Sequence, residues 1–179
     1  MILAEKFYCY NNTMSNCKSF KPSIDKHSTI LILGSMPGIK SLEEEQYYAH
    51  PQNRFWKVMG SICKNQDLPE LKYNKKLEIL LSNNIALWDT IKTCTRDGSL
   101  DSKILNIIPN DINELLEKYP NIKTIYLNGN KSYSTFKKYF PDLLKKYNCY
   151  KMPSTSPANA KYSLTKLIEE WKAAYLRIK

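Results

Sequence analysis

The chain has 179 residues and a formal net charge of +10, which favours a polyanionic partner such as nucleic acid. Its composition, 42% hydrophobic and 25% charged, is typical of a globular protein, and we expect a single domain over residues 1–179. The chain lacks a run of 18 apolar residues and a basic region before an apolar stretch at its start. We therefore expect neither a membrane-spanning helix nor a secretory signal.

The five cysteines do not form a metal-binding pattern. They are Cys9, Cys17, Cys63, Cys94 and Cys149. Their number is odd and no two are spaced as Cys-X-X-Cys, which argues against structural zinc. Scattered thiols are typical of a reducing cytosol, where they pack as small hydrophobic side chains. We therefore expect a cytoplasmic protein without a bound metal.

The first half of the chain predicts two strands and two helices. The continuous apolar run TILILGS (29–35) is typical of a buried parallel strand, and the loop GSMPG (34–38) overlaps its end. Apolar residues at helical spacing predict helices over 54–64 and 73–82. The segment IALWDT (85–90) predicts the next strand.

The second half repeats this alternation. Residues 91–109 are predicted as a loop with a short helix. Asp111 begins a pattern that resembles a capping box, and a helix follows it. The third strand is TIYL (124–127), and Pro141 is expected to stop the helix that comes next.

A fourth strand over 148–152 leads into the segment MPSTSPANA (152–160) and a final helix. The apolar stripe of that helix is Leu164, Leu167, Ile168, Trp171, Tyr175 and Ile178. Strands that alternate with helices predict an α/β fold with a parallel sheet.

Two stretches are candidates for the halves of one site. The first comprises ILILGSMPG (30–38) and QYYAHPQNRFW (46–56), and the second is MPSTSPANA (152–160). Open α/β sheets bind ligands at the loops beyond the carboxyl ends of their strands. The pattern GSMPG alone is weak, because an ordinary strand–helix turn would have the same composition.

The segment 46–56 carries more specific chemistry. Tyr47 or Tyr48 could stack on a base, a contact worth about 1–3 kcal/mol. Asn53 has a donor and an acceptor, so it could position water or read a base edge. His50 precedes a proline and is more often a structural hydrogen-bonding residue than a catalyst.

These segments together resemble a known superfamily. GSMPG followed by YYAHPQNRFWKVM is similar to the motif region of the mismatch-specific branch of the uracil-DNA glycosylase superfamily. MPSTSPANA resembles the second motif, whose loop is inserted into the DNA helix. The segment 85–104, IALWDTIKTCTRDGSLDSKI, is most similar to the deoxyinosine (hypoxanthine) DNA glycosylase branch. The resemblance covers about residues 29–170.

The resemblance implies a three-layer α/β/α sandwich with a short central parallel four-stranded sheet. It implies a monofunctional glycosylase in which water hydrolyses the N-glycosidic bond and leaves an abasic site. It also implies that no metal or organic cofactor is needed and that the partner is DNA containing a deaminated base. We expect a monomer, free of membranes, that associates with the nucleoid.

The resemblance assigns the catalytic role to Asn53. The residue after Gly34–Ser35 is an Asp in the uracil-specific enzymes and an Asn in the mismatch-specific ones, and it orients the water. Here that residue is Met36, which cannot orient water, so Asn53 is the nearest replacement. Ser154 stands where the uracil-specific enzymes carry a His that stabilises the leaving base.

The remaining assignments form two groups. The base-binding group is Tyr48, Ser35, Met36, Ile39, Asp89 and Ser154. For Asp89 a structural hydrogen bond is an equal alternative. The DNA-binding group is Ser156, Pro157, Ala158, Asn159, Lys131 and Asn128. Pro157, Ala158 and Asn159 are expected to form a wedge that enters the base stack. Lys131 opens a helix and suits a phosphate, and Arg96 and Lys103 are expected to add backbone contacts.

Three functions are compatible with the sequence. Met36 and the segment 85–104 favour excision of hypoxanthine. The first alternative is excision of uracil or of mismatched thymine. The second is a non-catalytic module that binds lesions in DNA. Met36 is compatible with this alternative, because it stands in place of the usual water-orienting residue.

Overall fold

The computed structural model describes residues 15–177. The start of the chain, Cys9 and the predicted helix residue Ile178 lie outside the described residues. The strands are β1 Ser15–Lys18, β2 Ile30–Gly34, β3 Ile85–Asp89, β4 Ile91–Arg96, β5 Ile104–Pro109, β6 Thr124–Asn128 and β7 Asn148–Met152. The α-helices are α1 Ile39–Glu44, α2 Phe55–Ile62, α3 Tyr73–Ser82, α4 Ile112–Lys118, α5 Asn130–Tyr139, α6 Pro141–Lys146 and α7 Leu164–Leu176.

The central sheet has four parallel strands in the order β3-β2-β6-β7. Gly34 at the end of β2 pairs with Asp89 at the end of β3, and Asn128 at the end of β6 pairs with Met152 at the end of β7. The strand ends that carry the site segments therefore meet at one edge of the sheet. The predicted four-stranded parallel sheet is confirmed.

Helices cover both faces of this sheet. Successive side chains of a strand point to opposite faces, and β2 places Ile30 and Ile32 in one core and Leu31 and Leu33 in another. The first core includes buried residues of α2, α3 and α7. The second includes buried residues of α4, α5 and α6. This arrangement is the expected three-layer α/β/α sandwich.

The prediction of a loop over residues 91–109 is wrong. These residues form β4 and β5, which join β1 in a three-stranded antiparallel sheet of order β1-β4-β5. The predicted short helix is a 3-10 turn, Asp101–Lys103, between the two strands. Register shifts interrupt the pairing of β4 with β5, and the buried residues Ile91 and Cys94 of β4 lie three positions apart instead of two. The pairing of β4 with β1 spans most of the first half of the chain, so no regular local pattern reveals it.

The helix boundaries follow local capping chemistry. The Asp111 carboxylate accepts a hydrogen bond from the Glu114 backbone N–H (3.1 Å), as the capping pattern predicts. Pro141 does follow the end of α5, but it also occupies the first turn of α6, a helix that the sequence pattern missed. Proline is well suited to that position because its fixed φ angle is helical and no N–H is needed there.

None of the helices within residues 15–177 is long and apolar enough to cross a membrane. The four cysteines in this part of the chain, Cys17, Cys63, Cys94 and Cys149, form no disulfide bond with one another.

Candidate active site

A cavity of about 290 Å³ opens at the carboxyl edge of the central sheet. Such a volume lies at the lower end of the range for ligand pockets, roughly 300–1,000 Å³, and suits a single base. The cavity brings the two predicted motif segments together. Its lining includes the predicted residues Ser35, Met36, Ile39, Tyr48, Asn53, Asp89, Asn128, Ser154, Ser156, Pro157 and Ala158.

Tyr48 lines the cavity, and its ring stacks on Phe55, with ring centroids 3.7 Å apart and planes at 15°. The backbone of Tyr48 is left-handed, with φ at 56°, which turns the chain sharply ahead of α2. Burial raises the pKa of the Tyr48 hydroxyl well above its usual value, so the group stays protonated.

Tyr47, the alternative stacking residue, is structural. Only 4% of its surface is exposed, and its hydroxyl donates a hydrogen bond to the Lys21 carbonyl (3.0 Å). Its ring meets Phe20 edge to face at 5.3 Å. Of the two tyrosines that line the cavity, Tyr48 is therefore the more exposed.

Asn53 is half-buried at the start of α2 and lines the cavity. Its Oδ1 accepts a hydrogen bond from the Phe55 backbone N–H (3.0 Å), and its own N–H donates to the His50 carbonyl (2.8 Å). The first contact holds the side chain, and the second, made by the backbone N–H, holds the main chain beside it. A carboxamide oxygen has two lone pairs, so Oδ1 keeps one for a water molecule. His50 itself is exposed, and its Nδ1 accepts from the Gln52 N–H (3.2 Å).

Asp89 is buried at the end of β3, with 4% of its surface exposed. The Ser19 hydroxyl donates a hydrogen bond to Oδ2 (2.7 Å). The other oxygen, Oδ1, lies so close to Gly34 that an added Cβ there would be 2.4 Å away. Gly34 is thus the residue whose missing side chain makes room for the carboxyl group.

The environment of Asp89 raises the pKa of its carboxyl group to about 7. Burial is the main cause, because it disfavours the charged form. The hydrogen bond from Ser19 and the charge of Arg96 act in the opposite direction, and the charge of Asp101 adds to the rise. At neutral pH this group can therefore either donate or accept a proton.

The loop between β4 and β5 forms a wall of the cavity that sequence reasoning missed. The Ser35 hydroxyl donates to Asp101 Oδ1 (2.7 Å), and the Ile39 N–H donates to Ser99 Oγ (2.9 Å). Leu100, between these two, lines the cavity and is 54% exposed. The sequence signal for this wall is the polar run DGSLDS (97–102), which lies within the segment predicted as a loop.

Met36 lines the cavity, but most of its surface is packed elsewhere. It is 6% exposed and belongs to a small cluster beneath the antiparallel sheet. The other buried members of that cluster are Cys17, Ile91, Cys94 and Ile104. A thioether there can only pack, so the position usually taken by a water-orienting side chain has become part of a hydrophobic contact.

Asn128 joins the two motif segments. Its Nδ2 donates to the Tyr48 hydroxyl (3.3 Å) and to Thr155 Oγ1 (3.0 Å), and its Oδ1 accepts from the Thr155 N–H (3.1 Å). The side chain is buried and both amide hydrogens are used. Its amide has no hydrogen left to donate to DNA, the contact predicted for this residue, and the hydrogen bonds favour a positioning role.

The loop of the second motif has a narrower tip than the sequence suggested. Pro157 and Ala158 are exposed, whereas the Asn159 Nδ2 donates back to the Ser154 carbonyl (2.9 Å). Ser154 Oγ accepts from the Ser156 N–H (3.2 Å). The exposed tip is therefore Pro157–Ala158, and Asn159 braces it.

A polar groove continues from the cavity. It has a volume of about 990 Å³ and is bordered by the 99–102 loop, the start of α5 and the second-motif loop. Lys131, Lys151 and Lys161 line it, and so does Asn159. The expectation that Arg96 contacts DNA is wrong, because its side chain is fully buried and donates to the Pro37 carbonyl (2.6 Å). Lys103 is exposed.

Within residues 15–177, no group of three or more His, Cys, Asp and Glu side chains is arranged to hold a metal ion.

Comparisons with known proteins agree with this geometry. A model of the uracil DNA glycosylase superfamily matches residues 22–177. The chain is 44% identical over 115 residues to a hypoxanthine DNA glycosylase of Methanosarcina barkeri, which covers 64% of this chain and 72% of that protein. It is 37% identical over 160 residues to a hypoxanthine DNA glycosylase of Methanosarcina acetivorans, which covers 88% of this chain and 97% of that protein.

A solved structure shares the fold. It is the solution NMR structure of a Methanosarcina acetivorans protein assigned to the uracil DNA glycosylases, and it superposes with a TM-score of 0.78 at 36% identity. The match covers 91% of this chain and 98% of that one. The family model spans the central sheet, both helical layers and both motif segments. The chain therefore belongs to the uracil DNA glycosylase superfamily.

Proposed function

We propose that this protein is a monofunctional DNA glycosylase that flips hypoxanthine out of DNA and hydrolyses its N-glycosidic bond. The observation that carries the proposal is the cavity itself, in which Asn53, Tyr48 and Asp89 surround a space suited to one base. The names of the two Methanosarcina relatives support hypoxanthine as that base.

Asn53 orients the attacking water. The C1′–N9 bond breaks and the base leaves with the electron pair, while the water oxygen bonds to C1′ and releases a proton to the solvent. A carboxamide is a poor base, so it works by holding water near the cationic sugar rather than by removing a proton early. Its fixed position at the start of α2 suits this role.

Asp89 assists departure of the base. The buried carboxyl group in its neutral form donates a hydrogen bond to an acceptor of the purine, such as O6 or N7, and the proton follows as negative charge builds on the leaving base. Ser19 holds Oδ2, which leaves Oδ1 for the base. Ser154, in place of histidine, can supply only a weaker hydroxyl contact.

Tyr48 and the groove hold the DNA substrate. The base stacks on the ring of Tyr48 while Pro157 and Ala158 fill the gap left in the duplex. Lys131, Lys151 and Lys161 neutralise phosphates along the groove. The protein acts as a monomer on nucleoid DNA, without a cofactor.

A panel of duplexes tests the substrate. Each duplex carries one deoxyinosine, deoxyuridine or deoxyxanthosine, and alkali converts the abasic product to a nick. Under single-turnover conditions we expect excision of hypoxanthine at least about tenfold faster than of uracil, because a site that hydrogen-bonds a purine edge leaves polar groups unpaired with a pyrimidine.

The other results of the panel contradict the proposal in distinct ways. Faster cleavage of the deoxyuridine duplex identifies a uracil enzyme. Tight binding to lesion DNA without cleavage of any duplex identifies the non-catalytic module.

A further inference from the structure

Arg54, a residue to which the sequence assigned no role, binds the carbonyl groups of the second-motif loop. Its Nη2 donates to the carbonyls of Ser156 (2.5 Å) and Asn159 (3.1 Å), and its Nε donates to that of Thr155 (3.4 Å). Nη1 donates to the carbonyl of Tyr162. Four of the five guanidinium hydrogens are therefore directed at one loop.

The backbone of Arg54 strengthens this attachment. Its N–H donates to the Thr155 carbonyl (3.1 Å), so the same carbonyl receives hydrogen bonds from the main chain and the side chain. Arg54 is the residue between Asn53 and the first residue of α2. The loop that carries the exposed tip Pro157–Ala158 is thus fixed to the immediate neighbour of the water-orienting residue.

The positive charge of Arg54 strengthens these hydrogen bonds. Hydrogen bonds from an ionised donor are about twice as strong as neutral ones. A lysine has one nitrogen in place of the planar fork, so it cannot reproduce the four-carbonyl geometry. All four acceptors are neutral main-chain carbonyls, so these contacts are charge-assisted hydrogen bonds and not ion pairs.

We infer that Arg54 is a positioning residue that couples insertion of the Pro157–Ala158 tip into DNA to placement of Asn53 against the flipped nucleotide. When the tip enters the duplex, the force on the loop is transmitted through the guanidinium to the start of α2. Flipping and water placement then occur as one event. This inference rests on the proposed function.

The test compares Arg54→Ala, Arg54→Lys and Arg177→Ala on a deoxyinosine duplex with 2-aminopurine beside the lesion. Fluorescence of 2-aminopurine reports flipping, and alkali-induced nicks report excision. Arg177 is exposed after α7 and is the charge-matched control. Each variant is also measured with guanidinium at about 20 mM, far below the concentrations on the order of 1 M that unfold proteins.

We expect Arg54→Ala to lose the flipping signal and to excise about 100-fold more slowly, as a misplacement of about 1 Å would cause. Its affinity for undamaged duplex should stay within about twofold, because the lysine groove is intact. Added guanidinium should raise the excision rate of Arg54→Ala at least about tenfold. Arg177→Ala should excise at the wild-type rate with and without guanidinium.

Two results overturn the inference. One is an Arg54→Ala protein that flips and excises within about threefold of the wild type. The other is a folded Arg54→Ala protein whose defect guanidinium leaves unchanged. If Arg54→Ala does not fold, Arg54→Lys decides, and wild-type flipping and excision in that variant would also contradict the coupling.

Hydrogen exchange separates this inference from the proposed function. Amides of residues 154–162 should exchange faster in the folded Arg54 variant than in the wild type, while those of the central sheet stay protected. If the wild type does not excise hypoxanthine, the proposed function fails. Unchanged exchange at 154–162 would instead refute the attachment itself.

Discussion

Gly34 and Asp89 face each other across the paired ends of β2 and β3. A Cβ at position 34 would lie 2.4 Å from Asp89 Oδ1 and 3.3 Å from the Tyr48 hydroxyl oxygen. Glycine is needed here for space and not for an unusual φ angle. The short strand-to-loop transition of the first motif is therefore shaped by the buried carboxyl group beside it.

The ionisation of Asp89 should control the pH dependence of excision. The neutral form is the proposed donor, and its population falls as pH rises through about 7. We expect the single-turnover rate of the wild type to decline across that range. Asp89→Asn should be about 100-fold slower and should lose this decline, since an amide donates a hydrogen bond but no proton. A wild-type rate that instead rises through pH 7 would refute the donor role.

Asp89→Asn, which should lower activity, should raise the stability of the protein at neutral and alkaline pH. The folded-state pKa of Asp89 is above the usual value of 3.8, so folding takes up protons between these limits and the free energy of unfolding falls as pH rises from about 4 to about 7. Asp89→Asn removes this loss, which is bounded at about 4 kcal/mol. Urea unfolding should show the variant to be more stable than the wild type at pH 8 and equal at pH 4.

At the scale of elements, the antiparallel sheet is the feature that the sequence left unpredicted. It supplies the 97–103 loop, which touches the first motif through Ser35–Asp101 and Ile39–Ser99. The central sheet was predictable because its strands are continuous apolar runs between amphipathic helices. The second sheet was not, because register shifts between β4 and β5 break the two-residue alternation that marks a strand.

The candidate site also contains residues that the sequence predicts and residues that it does not. Residues with an unusual side-chain composition in one segment, such as Asn53 and Tyr48, could be selected from the sequence. Arg54 and Asn128 could be assigned their contacts only from the structure, because their partners are main-chain and hydroxyl groups about 25 to 100 residues away. Sequence indicates which chemistry is present, whereas long-range hydrogen bonds determine which groups are free.

Removing the attachment of the 97–103 loop should weaken catalysis without unfolding the protein. Asp101→Ala loses the hydrogen bond from Ser35 at an exposed position, so we expect a change below about 1 kcal/mol in stability. The looser cavity wall should lower kcat/KM about tenfold. Asp97→Ala removes the same charge from the same loop and should match the wild type. A kcat/KM of Asp101→Ala equal to that of Asp97→Ala would show that the Ser35–Asp101 hydrogen bond does not contribute to catalysis.

At the scale of the whole molecule, one edge of the central sheet gathers every part that the proposed reaction needs. The cavity, the exposed Pro157–Ala158 tip and the lysine-lined groove are continuous there, because they share the 99–101 loop and the second-motif loop. The net charge of +10 supports attraction to DNA. Neither charge nor fold identifies the lesion, which depends on the few side chains around the base.

The most direct test of this account is single-turnover excision of hypoxanthine by the wild type, Asn53→Ala and Gln52→Ala. Gln52 is the exposed neighbouring amide and serves as the matched control. We predict that the wild type and Gln52→Ala leave an abasic site at equal rates, while Asn53→Ala binds the deoxyinosine duplex but is at least about 100-fold slower. An Asn53→Ala rate equal to that of the wild type, or an intact deoxyinosine duplex with the wild type, would contradict the account.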